Sequence, residues 1–296
     1  MPSEEQQACR IILRNTATAK KSMAYLTLSK TMTAWYTHHP AKDDMPTLVF
    51  IHGWVHNHTV WKRMEHIFHK KGFGTFCIDL PGHGKSSVPN DPREYTMDHM
   101  ADVCAKIIKR RKIAEPILVG HSLGSMVAQY MYKKVQPQAM ILIGTSYITP
   151  IRDAIDESRL EIAYIEELTN RLNKRIPAKQ EHRMMDFSRT PSHNDILIWL
   201  RGASATSAKG LISCFGSILA FDSRSLLKKI TCPVLLLVGQ KDIRTPLRRI
   251  KQMRKFLVNA RAVSIEVIPD HGHNVNLTAP KEVANEILDF LKVLEK

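Results

Sequence analysis

Short apolar runs without polar alternation recur along the chain, and they restrict the fold more than any other feature. Six of them are separated by stretches with helical spacing: 47–51, 74–80, 116–120, 140–144, 233–239 and 263–268. A strand that is covered by helices on both faces is apolar on both, so such runs are typical of parallel sheets with crossover helices. The sequence therefore predicts an α/β fold with a mostly parallel central sheet flanked by helices.

Helical spacing between these runs completes the pattern. It is found at 57–71, 98–112, 123–136, 247–258 and 280–294. Pro280 suits the first turn of the closing helix, because the missing backbone N–H would have no partner there. Ahead of the first run, residues 25–37 alternate loosely and are rich in β-forming side chains. This predicts an antiparallel hairpin or edge at the start of the sheet.

One long region breaks this rhythm. No strand-like run occurs in residues 147–219, whose amphipathic stretches are separated by prolines. We interpret this region as a helical cap insertion over the end of the sheet. The predicted core then comprises residues 25–146 and 220–296, preceded by an N-terminal extension, 1–24. Five apolar residues of the insertion fit either an acyl-binding cavity or internal packing: Met184, Met185, Phe187, Ile196 and Trp199.

At 296 residues with 44% hydrophobic side chains, the chain is long enough to bury a core of its own. No stretch approaches the roughly 18 uninterrupted apolar residues of a transmembrane helix. The acidic start of the N-terminus does not resemble a secretory signal. The 5 cysteines form no CxxC pair, which fits a reducing compartment better than a disulfide framework. These features predict a soluble protein of the cytoplasm.

The chain carries 43 Lys and Arg against 28 Asp and Glu, a formal charge of +15. Such an excess attracts anionic substrates, membranes or nucleic acid. The basic runs lie on helical patterns without interleaved aromatic side chains, so we interpret them as a solvated surface and predict no nucleic-acid partner. Weak electrostatic association with anionic membranes remains as an alternative, and high salt would abolish it.

The sequence Gly-His-Ser-Leu-Gly at 120–124 joins an apolar run to a helical stretch, which is the setting that a G-x-S-x-G nucleophile turn requires. A serine exposed at such a turn, here Ser122, adopts strained backbone angles, and the flanking glycines remove side chains that would collide. The turn also puts the Leu123 N–H at a helix N-terminus, where backbone dipoles stabilise a negative oxygen. Ser122 is therefore the candidate nucleophile, and the Leu123 N–H is half of an oxyanion hole.

With this turn, the chain resembles the α/β-hydrolase superfamily from about residue 25 to 294. His-Gly-Trp at 52–54 follows the first apolar run, where the family has a His-Gly-x turn. The resemblance implies that the Trp54 N–H is the second oxyanion donor. Residues 79–86, DLPGHGKS, are similar to the family's D-x-P-G-x-G-x-S loop, whose role is structural. Three of its residues are therefore not assigned to catalysis: Asp79, His83 and Ser86.

A nucleophilic serine needs a histidine within hydrogen-bond reach, itself oriented by a carboxylate. In this fold the three follow in the order Ser, Asp or Glu, His. Four histidines follow the serine, and the first two fall in the predicted insertion: His182, His193, His271 and His273. The family's Gly-His signature before the closing helix matches Gly272-His273. The resemblance thus implies His273 as the general base, with His271 as the alternative.

For the orienting carboxylate, Asp242 ends a stretch that resembles the family's G-x-x-D placement after the penultimate strand. Asp270 lies nearer to the histidine in sequence but fits a loop-shaping role better. Some relatives take the acid from the strand after the nucleophile helix, whereas here that strand ends in Gly-Thr-Ser at 144–146. The resemblance therefore implies Asp242.

Histidine pairs at short spacing raise the question of a metal site: His56 with His58, and His66 with His69. An H-x-H-x-D-H metallohydrolase motif would need Asp and His where this chain has Val60 and Trp61, and the second pair lacks a zincin's embedded glutamate. We predict a hydrated surface for both pairs and no metal or other cofactor.

Together these residues predict a serine hydrolase that cleaves a small or medium-sized carboxylic ester through an acyl-enzyme intermediate. Exchange of a few pocket residues on this fold gives lactonases, thioesterases, carbon–carbon bond hydrolases and perhydrolases, so these activities remain alternatives. A serine at the turn argues against dehalogenases and epoxide hydrolases, whose relatives have aspartate there. A non-catalytic ligand sensor is a further alternative, which ester turnover would exclude.

Overall fold

Eight strands form one sheet in the computed structural model, which describes residues 22–149, 198 and 204–294. The strands are β1 Ser22–Thr27, β2 Thr33–His39, β3 Thr47–Ile51, β4 Gly74–Ile78, β5 Ile117–His121, β6 Ala139–Ile143, β7 Val234–Gly239 and β8 Val263–Ile268. Their order across the sheet is β1-β2-β4-β3-β5-β6-β7-β8. β1 and β2 form an antiparallel hairpin, β2 pairs antiparallel with β4, and the other pairings are parallel. The predicted α/β fold and starting hairpin are confirmed.

Helices connect the parallel strands and cover both faces of the sheet. They are α1 Lys62–Lys70, α2 Met97–Arg110, α3 Leu123–Val135, α4 Ala208–Leu219, α5 Arg224–Leu227, α6 Leu247–Arg254, α7 Val275–Thr278 and α8 Pro280–Leu294. Short 3₁₀ turns precede two of them, at His58–Trp61 and Pro92–Tyr95. Local sequence explains the starts: the Thr96 hydroxyl, for example, caps α2 by accepting the His99 N–H.

The boundaries agree closely with those predicted for the strands, but α6 ends earlier than predicted. It stops at Arg254 rather than at residue 258. The amides of Lys255, Phe256 and Leu257 bond to carbonyls three residues back, so the chain continues in tighter turns. Spacing of apolar residues does not distinguish this tightening from a continued α-helix.

The central strands are buried on both faces, which explains why their sequences do not alternate. Every residue of β5 is buried. Leu118 belongs to an apolar cluster with side chains of α2 and α3, whereas Ile117 and Val119 belong to a second cluster with side chains of α1 and α8. The core therefore lies in two layers, one on each face of the sheet, and the sheet supports the loops at its carboxyl edge.

Several predictions fall partly or wholly outside the described residues. The N-terminal extension, 1–24, is described only from Ser22, and residues 22–24 belong to β1, so the sheet begins three residues earlier than predicted. The cap insertion, 147–219, is described only at its two ends and at Ile198. The five residues considered for an acyl-binding cavity lie outside. Within residues 22–149 and 204–294, no helix is long and apolar enough to cross a membrane.

Candidate active site

Ser122 lies in the turn between β5 and α3. Its backbone has a φ of 50° and a ψ of −117°, a strained conformation for a residue with a side chain. Gly120 and Gly124 are required by the surrounding backbone: a Cβ on either would collide, with the carbonyl oxygen of Gly124 in the first case and with that of Ile51 in the second. This local packing holds the Ser122 side chain at the wall of a pocket.

The structure brings Ser122, His273 and Asp242 together. His273 Nε2 lies 2.9 Å from the Ser122 hydroxyl oxygen, and His273 Nδ1 lies 2.9 Å from Asp242 Oδ2. Because an ionised carboxylate only accepts, Nδ1 donates to it and Nε2 presents a lone pair to the serine hydroxyl. Asp242 follows β7 and His273 follows β8, so the three side chains come from the carboxyl ends of three strands.

Asp242 is held in an ionised state by its neighbours. Its Oδ1 atom accepts the backbone N–H groups of Arg244 (2.9 Å) and Thr245 (2.8 Å), and Oδ2 accepts the Thr245 hydroxyl (2.6 Å). Burial alone would raise the pKa of the carboxyl, but His273 and the Thr245 hydrogen bonds outweigh it and hold this pKa well below its usual value. The imidazole therefore faces a fixed negative charge.

The alternative base and acid lie elsewhere. His271 Nδ1 is 2.8 Å from the hydroxyl of Thr278, the last residue of α7. Asp270 has a φ of 61° and forms an exposed ion pair with Lys241, at 2.8 Å. At Gly144, which has a φ of 53°, a Cβ would lie 3.2 Å from the His273 ring. A side chain there would crowd the imidazole, so this chain has little room for an acid after β6.

The two residues predicted as oxyanion donors both lie next to Ser122. Leu123 is the first residue of α3, where backbone N–H groups have no partner within the helix. Trp54 follows Gly53, whose added Cβ would lie 3.3 Å from the Ser122 Cβ, so the turn at residues 53–56 packs on the nucleophile turn. We call residues 53–56 the oxyanion turn. The Trp54 indole N–H donates to the Leu211 carbonyl of α4, at 3.1 Å.

A cavity of about 200 Å³ opens beside Ser122. One part of its lining is apolar and includes Trp54, Met126, Phe215 and Ile218. The Trp54 and Phe215 rings stack, with centroids 5.3 Å apart. Another part is polar and comprises Ser146, Thr149, Arg244, Thr245 and Asn274, with the histidines beside them. Such a mixed cavity can hold an apolar chain and orient a polar group within it.

Sequence reasoning missed the apolar wall that α4 supplies. Phe215 and Ile218 are three residues apart and so share one helix face, which periodicity could have indicated. Nothing local indicates that this face lies over Ser122. Thr245 was also missed, although an aspartate that accepts N–H groups two and three residues on is a common turn motif.

Comparison with known proteins gives the family. The profile of the alpha/beta hydrolase family matches residues 48–286. The chain belongs to the alpha/beta hydrolase family. A bifunctional esterase/perhydrolase from Acinetobacter calcoaceticus is 26% identical over 263 residues, 84% of this hydrolase and 92% of that protein. A pimeloyl-[acyl-carrier protein] methyl ester esterase from Chromobacterium violaceum is 30% identical over 209 residues, 68% and 78% of the two chains.

Solved structures support the same fold for this hydrolase. An esterase from Exiguobacterium antarcticum has a TM-score of 0.75 at 19% identity and covers 88% of this chain and 96% of its own. A thermophilic esterase from Thermogutta terrifontis has a TM-score of 0.73 at 23% identity, covering 93% and 100%. The predicted superfamily resemblance and fold class are therefore confirmed.

The prediction that His56 and His58 lie on a hydrated surface was wrong. Both are buried in the hydrolase, with exposed fractions of 5% and 8%. Asp79 is fully buried, and a buried carboxylate must be paired. His58 pairs with the Asp79 carboxylate through its backbone N–H (2.7 Å) and its Nδ1 (2.9 Å), so Asp79 has a structural role, as predicted.

Of the second histidine pair, His66 is exposed and His69 is partly buried. Within the described residues, no cluster of potential ligands could hold a metal ion.

Buried histidines make the stability of this hydrolase sensitive to acid. Burial lowers the pKa of His52 to about 3 and that of His56 to about 4, and it also lowers the pKa of His83 and His121. In the unfolded chain each binds a proton near its ordinary pKa of about 6.5. At His52 and His56 the unfolded state thus gains protons as the pH falls below about 6.5, while the folded state does not until about pH 4.

We therefore expect the free energy of unfolding to fall by about 1.4 kcal/mol per pH unit for each of these two histidines within this window, and to fall less steeply below it; the lowered pKa values of His83 and His121 add to the loss in the same direction. Urea unfolding monitored by circular dichroism at pH 7.5, 6.5, 5.5 and 4.5 would measure the slope. A free energy of unfolding that stayed constant from pH 6.5 to 4.5 would contradict the neutral, buried state of these side chains.

Proposed function

We propose that this hydrolase cleaves carboxylic esters of small to medium size through an acyl-enzyme intermediate on Ser122. The observation that carries the proposal is the pair of 2.9 Å contacts that join Ser122, His273 and Asp242 at the wall of the cavity. The relatives from Acinetobacter calcoaceticus and Chromobacterium violaceum are named as esterases, which supports an ester as the bond that is cleaved.

In the first half-reaction, the Ser122 oxygen forms a bond to the ester carbonyl carbon while His273 Nε2 takes the hydroxyl proton. The carbonyl π electrons move to oxygen and give a tetrahedral intermediate. When the carbonyl re-forms, the bond from carbon to the alcohol oxygen breaks, and the imidazolium gives its proton to that oxygen. The alcohol leaves, and the acyl group remains on Ser122.

In the second half-reaction, His273 takes a proton from water, whose oxygen attacks the acyl carbon. The bond to the Ser122 oxygen breaks, this oxygen regains its proton from His273, and a carboxylic acid is released. Asp242 stays ionised throughout because of its low pKa. It keeps the histidine in the productive tautomer and stabilises the imidazolium.

The negative oxygen of both intermediates binds, in this proposal, to the backbone N–H groups of Leu123 and Trp54. Leu123 contributes the positive end of the α3 dipole, and Trp54 is fixed by its indole hydrogen bond to α4 and by stacking on Phe215. Donors placed in advance at such an oxygen typically contribute about 10²- to 10³-fold to kcat each. The cap insertion, the cytoplasmic location and weak attraction to anionic membranes stay predictions.

Turnover of p-nitrophenyl esters of graded acyl length, from acetate to octanoate, tests this function. We expect hydrolysis within this series and no need for an added metal. Failure to hydrolyse any member of the series, by protein that circular dichroism shows to be folded, would contradict the proposal and favour the sensor alternative.

Perhydrolysis is a second candidate, because the Acinetobacter calcoaceticus relative is named as both esterase and perhydrolase. Here an oxygen of hydrogen peroxide would attack the acyl carbon in place of water while His273 takes its proton. The bond to the Ser122 oxygen then breaks, this oxygen regains the proton from His273, and the peracid leaves. Adding hydrogen peroxide to the ester assay and measuring peracid distinguishes the two outcomes. Acid as the sole product would exclude this activity.

Phe215 is expected to limit the size of the acyl or alcohol group. Its ring lines the cavity, so Phe215→Ala should raise kcat/KM for a bulky ester relative to p-nitrophenyl acetate by about 10-fold, as expected from pocket contacts of this kind. Ile212→Ala is the matched control, because Ile212 is on the same helix but is 49% exposed. The assignment would be wrong if both variants kept the wild-type ratio.

A further inference from the structure

Two buried histidines that do not contact the reacting atoms in the proposed mechanism connect three of the loops that carry it. His121 precedes Ser122, and its Nε2 lies 2.9 Å from the backbone oxygen of His273. His56 ends the oxyanion turn, and its Nε2 lies 3.3 Å from Asn274 Oδ1. The loop after β8 is thus held at two consecutive residues, once from the nucleophile turn and once from the oxyanion turn.

The oxyanion turn is strained and therefore needs such contacts. Val55 has a φ of 68°, a backbone conformation that is rare for a β-branched residue. The turn is closed by the His56 N–H, which donates to the Gly53 oxygen at 3.2 Å. The same oxygen is 2.8 Å from His52 Nδ1, while His52 Nε2 accepts the Leu80 N–H at 3.0 Å. A strained turn persists only where its surroundings fix it.

Neutral imidazoles suit this position. Burial lowers the pKa of His56 to about 4 and that of His121 well below its ordinary value, so both are uncharged at pH 7. The His121 and His273 ring centroids are only 5.1 Å apart, and those of His56 and His121 are 6.0 Å apart. A neutral ring can hold the loop through a hydrogen bond without a positive charge that would disfavour the imidazolium of His273.

Proton positions follow from the partners. A backbone or amide oxygen only accepts, so Nε2 carries the hydrogen in both His56 and His121. The Nδ1 atoms are then bare acceptors, and both are buried without a hydrogen-bond partner in the described part of the chain. Burying an acceptor without a hydrogen-bond partner lowers the stability of the folded state, and the Nε2–H hydrogen bond of each ring offsets part of this loss. For His56 that bond spans 218 residues of sequence, to Asn274.

We propose that His56 is a positioning residue for the hydrolysis proposed above: through Asn274 it sets the oxyanion turn relative to the loop that carries the general base. The inference rests on that proposed function. His56 and Asn274 border the cavity but hydrogen-bond to each other, so we expect His56 to act through the Trp54 N–H and His273 rather than through a hydrogen bond to the substrate. Its loss should therefore lower the rate of the chemical step while ground-state binding of the ester changes little.

Three variants test this. His56→Phe keeps a ring but removes the N–H, Asn274→Leu removes the acceptor, and His56→Gln keeps an N–H at similar reach. We expect His56→Phe and Asn274→Leu each to lower kcat by about 10- to 100-fold, with KM within about twofold, since small misplacements of catalytic groups have effects of this size. The double variant should be no worse than either alone, and His56→Gln should recover most of the loss.

Thermal unfolding and a matched control separate positioning from a purely structural role. His66→Phe changes an exposed histidine of α1 and should leave kcat at the wild-type value. A folded His56→Phe protein with a lower Tm but an unchanged kcat would overturn the proposal. So would losses in the single variants that multiply in the double variant, because the two side chains would then act independently.

The rate of Ser122 labelling by a fluorophosphonate distinguishes failure of this inference from failure of the proposed function. If wild-type protein labels but hydrolyses no ester, ester hydrolysis is wrong. Positioning is then judged on labelling alone, where a 10- to 100-fold slower His56→Phe supports it and an unchanged rate overturns it. If the wild-type protein neither labels nor hydrolyses esters, both proposals are overturned.

Discussion

Replacing Ser122 by alanine is expected to lower kcat for a p-nitrophenyl ester by about 10⁴- to 10⁶-fold while the protein stays folded. The substitution removes the oxygen that forms the acyl bond, and the hydroxyl of Ser125 cannot replace it, because that hydroxyl is turned to the Ser122 carbonyl oxygen and Thr145. Alanine is smaller than serine, so the strained turn can accommodate it. Initial rates and circular dichroism together measure both parts of the prediction.

Ser225→Ala is the matched control, because Ser225 is exposed and lies outside the main cavity. It should hydrolyse esters at the wild-type rate. Mass spectrometry after brief mixing with substrate should show an added acyl group on wild-type protein and none on the Ser122→Ala variant. A Ser122→Ala protein that kept a tenth of the wild-type activity would require a different nucleophile.

Asp242→Asn is the second large effect, with an expected fall in kcat of about 10⁴-fold near neutral pH. The side-chain oxygen of asparagine can still accept the Arg244 and Thr245 N–H groups, so the loop should keep its shape. The side-chain NH₂, however, would donate to His273 Nδ1 instead of accepting from it. The histidine would then carry its hydrogen on Nε2, facing Ser122, and could not take the serine proton.

Asp270→Asn tests the same chemistry at the rival carboxylate. Its exposed ion pair with Lys241 contributes little to stability, so this variant should stay within about twofold of wild type. The assignment of the acid would be reversed if Asp270→Asn were the inactive variant and Asp242→Asn the active one. The pH profile adds a readout, since Asp242→Asn should regain part of its rate at high pH, where hydroxide can replace the general base.

The fold could be predicted from the sequence because a strand that is buried on both faces is an apolar run without polar alternation. The runs predicted for β3 to β8 show this pattern, and they differ from the observed strands by at most two residues at either end. Candidate triad residues could be named because the fold fixes their order along the chain. Choosing His273 over His271 required the family's Gly-His signature.

The walls of the cavity and the buried histidines could not be predicted in this way. Phe215 lines the cavity at Ser122 because α4 docks there through contacts that are distant in sequence, such as the hydrogen bond between residues 54 and 211. His56 and His58 have the composition of a hydrated turn, and their burial depends on Asn274 and Asp79, which are distant in sequence. Contacts between segments that are distant in sequence determine whether such side chains are buried, and the spacing of residues within one segment does not indicate these contacts.

Among the strands that the structure describes, β8 is the outermost on its side of the sheet, and this position affects how the protein loses activity. The loop that follows this strand carries His273, whereas Ser122 is anchored between central strands with neighbours on both sides. An outermost strand has hydrogen bonds along one side only, so it detaches at a lower free energy than the interior does. Mild denaturant should therefore abolish hydrolysis before the circular dichroism spectrum changes. Ser122 would then still be in place, whereas His273 would have moved out of reach of its hydroxyl.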